Sequence, residues 1–485
     1  MRLLLFVFCV SGVAAAFAAP SVSDVQASPR AGGTAVRVAY TLGNEPAVVT
    51  LGLYEKATGA YIAEAAYTNL SGDVNCLVQP GRRFITWTKA RDWTRTDADV
   101  DVRLRTWPTN CPPDYLVLDL TDKAKAKPAK YYVSTNAFPV PLADVMYRTS
   151  HLVMRKIPAA NVEWRMGSPE QEAGHGTLFY QRGSGKDDNA GENLHYVRLT
   201  EDYYLGIYPV TYRQHCNGAN NAANNYGAWA SDQTAKFGDV RKDDWPYAPT
   251  QFVSLRSWMH DNDKGCDGTC GSVIHAWPED GHAIDAAGSA KCVKSTGNYT
   301  PFLRYWRNNY GFEFDIPTDA QWEFACRAGT LGMTYNDDRA AYTNLVSQAK
   351  LDDIAWNVNN SYNSAAECHT AQVVGQKRPN AFGLYDMIGN VFEWCLDVNH
   401  APAISADTTV DPVGATGVAN NRGRSCVLRG GSFCSPVGLC RSAARAAAFI
   451  PNLNNNAYSM SGLGNEATSS WHYGYRLCLP AQAAR

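Results

Sequence analysis

The sequence predicts an α+β chain in which a small all-β domain precedes a larger, loop-rich domain. Three observations lead to this prediction. Residues 20–107 alternate apolar and polar side chains with a period of two, which is typical of half-buried strands. After a proline-rich junction at 107–113 the apolar runs become short and the stretches between them long. Two capping boxes then mark helix starts in the second part of the chain.

The first domain, residues 20–107, is predicted to be a β-sandwich. Three segments alternate clearly, "TAVRVAYTL", "VVTLGLY" and "DVDVRLRTW". Their apolar faces comprise Val36, Val38, Tyr40 and Leu42, then Val49, Leu51 and Leu53, then Val100, Val102 and Leu104. Gly, Pro and Asn between the segments favour turns between antiparallel strands. Because the domain carries no catalytic constellation, we expect a spacer or adhesion module similar to fibronectin type III or immunoglobulin-like domains.

Residues 108–150 are predicted to link the first domain to the second, which covers 151–480. In the second domain Thr211 with Gln214, and Thr318 with Gln321, predict helix starts, and Gly329 is expected to close the second helix. Between these two helices, residues 262–298 are predicted to form a polar surface insertion.

Composition and charge restrict the class of protein. The chain has 485 residues, of which 45% are hydrophobic and 19% charged, so a globular protein is expected and not a disordered one. Its formal net charge is -2, and it lacks the basic face that a nucleic-acid partner requires. No apolar stretch after the N-terminus is long enough to predict a transmembrane span.

Residues 1–19 are predicted to be a secretory signal peptide. Arg2 is followed by an apolar run from Leu3 to Val10 and by small residues around Ala18. The alternative is a retained membrane anchor, which Ser11 and Gly12 disfavour because they interrupt the run. We therefore expect an exported protein in the periplasm, outside the cell or on its surface. One of the 14 cysteines lies in this segment, which leaves an odd number in an oxidising compartment.

Six segments of the second domain resemble one known family and occur in the order typical of it. They are "MGSPEQE" (166–172), "YLGIYPVTYRQ" (204–214), "FDIPTDAQWEFACRAGT" (314–330), "PNAFGLYDMIGNVFEWC" (379–395), "LRGGSF" (428–433) and "YGYRLC" (473–478). Together they resemble the sulfatase-modifying-factor family, whose founding member is the formylglycine-generating enzyme. The resemblance covers roughly residues 113–480.

The resemblance implies a formylglycine-generating-enzyme fold similar to a C-type lectin. For catalytic members it implies oxidation of a cysteine in an unfolded sulfatase to formylglycine, with dioxygen and Cu(I) held by two thiolates. It also implies structural calcium. Many members keep the fold without this activity, and some serve as binding or scaffold modules.

Carried over from the family, the calcium ligands are the side chains of Asp386 and Glu393 and the carbonyls of Gly389 and Val391. Carboxylate and carbonyl oxygens are the donors that Ca²⁺ prefers. The alternative is that Asp386 caps the turn and Glu393 meets an arginine. Calcium is the favoured interpretation.

Cys434 and Cys440 are the candidates for the copper thiolates, with Ser432 positioned to assist. Two thiolates on one loop suit Cu(I), because both partners are soft. Their spacing is Cys-x5-Cys, whereas the family resemblance implies a Cys-x4-Cys spacing for catalytic members. Aligned on Arg445, the second catalytic cysteine would fall near Val437, so the pair is out of register.

The segment instead resembles non-catalytic members that read "RGGSW…CRSAYR". This resemblance implies a disulfide between Cys440 and Cys326. Cys434 would then be the odd thiol or pair with Cys426 across a hairpin. In the insertion, a disulfide between Cys266 and Cys270, or between Cys270 and Cys292, is favoured over a zinc site, because the usual two-residue cysteine spacing is absent.

Two functions therefore stand as predictions. The first is a formylglycine-generating oxidoreductase acting on an unfolded sulfatase peptide. The second is a non-catalytic, lectin-like module that binds a peptide or a glycan. Family membership favours the first, and the cysteine spacing favours the second.

Overall fold

The structure is a computed structural model that describes residues 19–30, 32–90, 93–121, 129–176, 192–218, 245–250, 302–337, 344–364, 368–398, 407–412, 425–449 and 472–481. The chain divides into two compact units, one built from residues up to Pro113 and from Tyr131–Val140, the other from Asp114–Lys130 and from Pro141 onward. Residues of the predicted linker, 108–150, therefore contribute to both units. Almost all of the predicted signal peptide, and the whole insertion 262–298, lie outside the described residues.

The first unit contains eight strands in its described residues. They are β1 Ser21–Pro29, β2 Ala35–Gly43, β3 Ala47–Glu55, β4 Tyr61–Ile62, β5 Leu70–Gly72, β6 Leu77–Val78, β7 Gly81–Thr88 and β8 Val100–Pro108. One antiparallel sheet has the order β1-β2-β7-β5. In the other, β3 pairs antiparallel with β4, β6 and β8.

Both sheets contribute to one hydrophobic cluster, which explains the alternation in the sequence. Val36 and Val38 of β2 and Leu51 and Leu53 of β3 lie in this cluster together with Trp87. The three predicted strands are confirmed as β2, β3 and β8, with the expected faces buried or packed against the cluster. The two antiparallel sheets of the first unit thus share one hydrophobic core, while the sandwich architecture stays a prediction.

The remaining strands are short. They are β9 Tyr115–Asp119, β10 Ala129–Tyr132, β11 His151–Ile157, β12 Val162–Met166, β13 His195–Leu199, β14 Tyr203–Gly206, β15 Tyr362–Asn363, β16 Cys368–His369, β17 Phe392–Val398, β18 Thr409–Val410, β19 Ser425–Arg429, β20 Arg445–Phe449, β21 Tyr473–Gly474 and β22 Cys478–Pro480. Their sheets have the orders β10-β9-β11-β14-β22, β12-β13-β18, β15-β16 and β20-β19-β17-β21.

The α-helices of the described chain all lie in the second unit. They are α1 Tyr212–Gly218, α2 Phe302–Tyr310, α3 Asp319–Arg327 and α4 Gln348–Asp352. Short 3-10 helices occupy Glu64–Ala66, Asp97–Asp99, Thr135–Ala137, Val145–Arg148, Trp245–Tyr247 and Val437–Leu439. A strand-rich chain with few helices is consistent with the α+β prediction, while the lectin-like detail stays a prediction. No helix in these ranges combines the length and the apolar character needed to cross a membrane.

Both predicted capping boxes are confirmed. At α3 the amide of Gln321 donates to the Thr318 hydroxyl over 3.1 Å, and the Thr318 amide donates to the Gln321 side chain over 2.9 Å. At α1, Thr211 and Gln214 exchange the corresponding bonds over 3.2 and 3.1 Å. Helix α3 ends at Arg327, and two residues with positive φ follow it, the C-cap residue Ala328 at 46° and Gly329 at 91°. Gly329 thus lies where a glycine that closes a helix is expected.

Candidate functional site

Two of the six family segments meet in the sheet β20-β19-β17-β21. The segment "GLYDMIGN" leads into β17, the Gly-Gly-Ser turn follows β19, and Glu393 of β17 lies opposite Arg429 of β19. The amide of Gly389 donates to Gly430 O over 2.8 Å. The amide of Phe433 donates to Asn390 O over 2.8 Å. These backbone bonds hold the two motif turns against each other.

Glycine is needed where these turns pack most closely. Gly389 has a φ of 77°, and a Cβ there would lie 2.3 Å from Trp356 O. Gly431 has a φ of 75°, and a Cβ there would lie 3.0 Å from Leu439 O and 3.2 Å from the Cys440 sulfur. A side chain at 431 would therefore displace the segment that carries Cys440.

A pair of serines orders the loop around Cys434. The amide of Ser432 donates to Ser435 Oγ over 2.9 Å, and the two hydroxyl oxygens lie 3.0 Å apart. Ser432 Oγ also lies 3.3 Å from Cys434 Sγ. Ser435 was not among the residues predicted from the sequence. The Ser-x-x-Ser spacing of a side-chain-to-backbone turn could have indicated it, but such turns are common.

The two thiols of this loop lie in different surroundings. Cys434 is half-buried and packs against a small apolar cluster that contains Phe433 and Val391. Cys440 is 0% exposed. Burial raises the pKa of the Cys434 thiol. Burial, reinforced by the neighbouring Cys434, raises the pKa of the Cys440 thiol to about 12.

The nearest cationic side chain in sequence, Arg441, is already paired. Its guanidinium donates to Glu172 over 2.6 Å and to Glu192 over 2.9 and 3.0 Å, and all three side chains are buried. It therefore stabilises the two carboxylates, and its effect in lowering the Cys440 pKa is smaller than the effect of burial. At neutral pH both loop cysteines are expected to be protonated thiols.

The structure does not contain the disulfide predicted between Cys326 and Cys440, since both are free thiols. The Cys326 thiol instead donates to Ser442 Oγ over 3.7 Å. Cys434 is also a free thiol, so no bridge from it to Cys426 is present either. The other proposed bridges, among Cys266, Cys270 and Cys292, lie outside the described residues.

The predicted calcium ligands are brought together, but their side chains are already engaged. The guanidinium of Arg476 donates to both oxygens of Glu393, at distances of 2.7 to 3.2 Å, and Trp322 Nε1 donates to Oε2 over 2.8 Å. Asp386 accepts a bond of 2.7 Å from the Gly375 amide. The arginine contact of Glu393 matches the alternative prediction. The Gly375 amide that Asp386 accepts from lies outside the turn at Gly389, so the capping role predicted for Asp386 differs from the bond observed.

As it stands, the Glu393 side chain does not fit a calcium site. A guanidinium bound to both Glu393 oxygens competes with a cation for the same lone pairs. Burial raises the pKa of Asp386 to about 6. Within the described ranges no three His, Cys, Asp or Glu side chains come together as a metal-binding group. Calcium binding therefore remains a prediction from the sequence.

Buried ion pairs connect the motif segments to helix α3. Arg429 of β19 contacts Asp319 through Nε and donates to Glu323 over 2.8 Å. It also donates to the carbonyls of Ser442, Ala443 and Ala444 over 3.0 to 3.2 Å. This framework fixes the segment after Cys440 relative to α3.

A cleft of about 850 Å³ opens elsewhere in the second unit. Carboxylates form much of its lining, among them Glu201, Asp202, Glu313, Asp315 and Asp411. Cys434 and Cys440 are not among its lining residues, so the thiol loop and this cleft are separate features.

The sequence matches the family described as "Sulfatase-modifying factor enzyme 1-like domain" over residues 165–456. The formylglycine-generating enzyme of Streptomyces coelicolor is 35% identical over 137 residues, which are 27% of this chain and 40% of that protein. The mouse formylglycine-generating enzyme is 31% identical over 137 residues, 27% of this chain and 34% of that protein. The chain thus spans less than half the length of these curated relatives.

Among solved structures, Treponema denticola variable protein 1 superposes with a TM-score of 0.40 at 20% sequence identity. The superposition covers 68% of this chain and 95% of that chain.

Proposed function

The chain belongs to the sulfatase-modifying-factor family, and from that premise we propose that its second unit is a binding module that lacks the cysteine oxidation of the catalytic members. The observation that carries the proposal is the state of Cys440, which is 0% exposed. Catalysis by a thiol needs the thiolate and access to the reacting partner. Burial works against both requirements, because it excludes the partner and raises the pKa of the thiol to about 12.

The proposed ligand is a peptide or a glycan, in keeping with the lectin-like fold that the family resemblance implies. The N-terminal residues 1–19 support export, so the ligand would be met in the periplasm, outside the cell or on its surface. Fold alone does not specify a ligand, and the proposal rests on the thiol loop and on the family's inclusion of non-catalytic members.

A peptide-conversion assay tests the proposal. The full-length protein is loaded with copper under reducing conditions and incubated in air with a peptide that contains Cys-x-Pro-x-Arg. Mass spectrometry is expected to return the peptide unchanged. The formylglycine-generating enzyme of Streptomyces coelicolor, treated identically, is the positive control. Conversion of the peptide thiol to an aldehyde would overturn the proposal.

The second candidate function is that oxidation itself, acting on an unfolded sulfatase peptide. It is favoured by one observation, the 3.3 Å contact of Ser432 Oγ with Cys434 Sγ, since a hydroxyl that donates to sulfur stabilises a thiolate. Cys434 and Cys440 are the residues that would hold Cu(I), because thiols are soft ligands. Under this alternative the assay detects the aldehyde, and the Cys434→Ser and Cys440→Ser variants both abolish it.

A further inference from the structure

One face of the first unit carries alternating arginine and aromatic side chains. On β3 and β8, the residues that pack into the core are Leu51, Leu53, Val102 and Leu104. Since side chains alternate along a strand, Tyr54, Arg103, Arg105 and Trp107 lie on the opposite face. Tyr61 of β4 pairs with Tyr54 of β3 and therefore extends this face, and its side chain is 47% exposed. We call these five residues the arginine–aromatic face.

Each arginine of this face is stacked on a ring. The guanidinium carbon of Arg103 lies 4.1 Å from the Tyr54 ring centre, and that of Arg105 lies 3.7 Å from the Trp107 ring centre. The Trp107 indole is held in place by a 3.0 Å bond from Nε1 to the hydroxyl of Thr50. The arginines are therefore positioned by the sheet instead of extending freely into solvent.

The two tyrosine rings continue the row. Their centres are 5.2 Å apart. Gly52, which pairs with Arg103 of β8, gives the two rings room, because a Cβ there would lie 3.1 Å from Tyr54 and 3.5 Å from Tyr61. The absence of a side chain at Gly52 therefore lets two aromatic rings lie close to the strand.

Several arginines of the first unit lie over aromatic rings. Among its described residues these are Arg37, Arg82, Arg95, Arg103 and Arg105, at 3.7 to 5.9 Å from a ring centre. Arg103 and Arg105 are among the three closest, and both lie on β8.

The arginines retain hydrogen-bonding capacity for a ligand. Arg105 is exposed and has no carboxylate partner among the described residues. Arg103 donates through Nε to Asp101 over 2.8 Å, which leaves its terminal nitrogens available, and its side chain is 54% exposed. A guanidinium stacked on a ring keeps its in-plane N–H groups directed outward, where they can bind an oxyanion by two bonds.

We propose that the arginine–aromatic face binds an anionic polysaccharide, a chain whose sulfate or carboxylate groups pair with Arg103 and Arg105 while a sugar ring rests against the exposed Tyr61. Positions 103, 105 and 107 are spaced about 7 Å apart along the strand, so the face is linear and suits a repeating ligand. Oxyanions complement the guanidinium groups, and exposed aromatic rings complement the apolar faces of sugars. The proposal concerns the first unit and is independent of the function proposed for the second.

Binding of defined polysaccharides to the full-length protein tests this proposal. The probes are heparin, which is sulfated, and polygalacturonate, which is carboxylated, with dextran as the neutral control and polyglutamate as the acidic-peptide control. We expect binding to at least one anionic polysaccharide, weakening as NaCl is raised because salt screens the charges. The double variant Arg103→Gln/Arg105→Gln is expected to lose at least about tenfold in affinity, which corresponds to 1.4 kcal/mol.

The matched control is Arg37→Gln. Arg37 is also exposed and stacked, 3.9 Å from the Phe84 ring centre, but it lies on the other sheet. The Arg37→Gln variant should bind the anionic polysaccharide as tightly as the unmodified chain does. Thermal melting should show that all variants are folded. The proposal is overturned if neither polysaccharide binds, if the double variant binds equally well, or if dextran binds as tightly. Tighter binding of polyglutamate would assign the face to an acidic peptide and also overturn it. None of these outcomes affects the peptide-conversion assay.

Discussion

Cys434 and Cys440 are separated by only five residues, yet their side chains have different access to solvent and to partners. Cys434 is half-buried beside the Ser432 hydroxyl. Cys440 is fully buried, and no hydrogen-bond partner for its thiol is found within the described ranges. A thiol tolerates such an apolar position, whereas a hydroxyl requires a partner there.

We therefore expect serine to be tolerated at one position and not at the other. Cys440→Ser should lower the free energy of unfolding by about 1–3 kcal/mol, because it buries a hydroxyl without a partner. Cys434→Ser should cost less than about 1 kcal/mol, because Ser432 offers a hydrogen bond. Urea denaturation measures both. In the native chain, iodoacetamide should label Cys434 before Cys440, and equal labelling would contradict the burial argument.

Asp386 is a second residue whose environment makes a prediction. It is 1% exposed, and burial raises its pKa from 3.8 to about 6, partly offset by the Gly375 amide and by Arg476. Arg476 itself is bound to Glu393. Within the described part of the chain, Asp386 is thus a buried carboxylate without an ion pair of its own, so its charged form is costly in the folded state.

Stability should therefore fall as pH rises from about 4 through about 6. In this window the folded chain retains the Asp386 proton while the unfolded chain releases it, which favours unfolding. The amide side chain of the Asp386→Asn variant does not titrate. At pH 7 the free energy of unfolding of this variant should exceed that of the unmodified chain by on the order of 3 kcal/mol. Denaturation in EGTA across this range measures the difference. If Asp386 instead binds calcium, adding CaCl2 at pH 7 will raise the melting temperature of the unmodified chain, and the contacts described here will not account for the site.

Among the elements, helices α3 and α4 differ in how they begin. Helix α3 has a complete capping box between Thr318 and Gln321, and seven of its nine residues are buried. Helix α4 follows Ser347, whose side chain makes no capping bond. The two N-caps therefore provide a matched pair.

Thr318→Ala should lower the free energy of unfolding by about 1 kcal/mol, since it leaves an amide at the start of α3 without its acceptor. Ser347→Ala should change it by less than about 0.5 kcal/mol, because no capping bond is lost. Chemical denaturation of the two variants provides the comparison. A larger loss at Ser347 than at Thr318 would show that the caps do not behave as their hydrogen bonds indicate.

At the scale of the whole second unit, buried ion pairs join segments that are distant in sequence. Arg429 joins β19 to Asp319 and Glu323 of α3, more than 100 residues earlier in the chain. Arg476 binds Glu393 in the same way. In the parts that the structure describes, the segments between these partners contain few strand-to-strand hydrogen bonds. The buried charged contacts therefore stabilise the arrangement of the segments in place of such bonds.

Removing one partner of such a network should be strongly destabilising. Arg429→Met takes one of two cationic partners from each of the buried carboxylates of Asp319 and Glu323, which keep Arg445 and Arg327 respectively. We expect a loss of up to about 3–5 kcal/mol. The control is Arg378→Met, because Arg378 lies 3.8 Å from Asp353 and both side chains are exposed, 70% and 56%. An exposed pair contributes about 0–1 kcal/mol. If both variants melt at the same temperature, the buried framework is not what stabilises the unit.

Much of the fold followed from local patterns. The alternation in β2, β3 and β8 and the capping boxes of α1 and α3 are set by neighbouring residues, so they were predicted correctly. Family motifs also located the thiol loop and the turn at Gly389. The pairing of thiols could not be predicted in this way, because it depends on which side chains meet after the chain has folded.

Residue spacing within one segment, or the order of motifs, was enough to predict the strand faces, the helix starts and the family. The surroundings of Cys326, Cys440, Asp386 and Glu393 depend on how distant segments pack, so they could be read only from the folded chain. For Cys326, Glu393 and Asp386 the deciding partners are Ser442, Arg476 and the Gly375 amide, each from a different motif or turn. For Cys440 the deciding factor is burial. Burial and partner identity set the pKa of a thiol or carboxylate, and both are properties of the assembled chain.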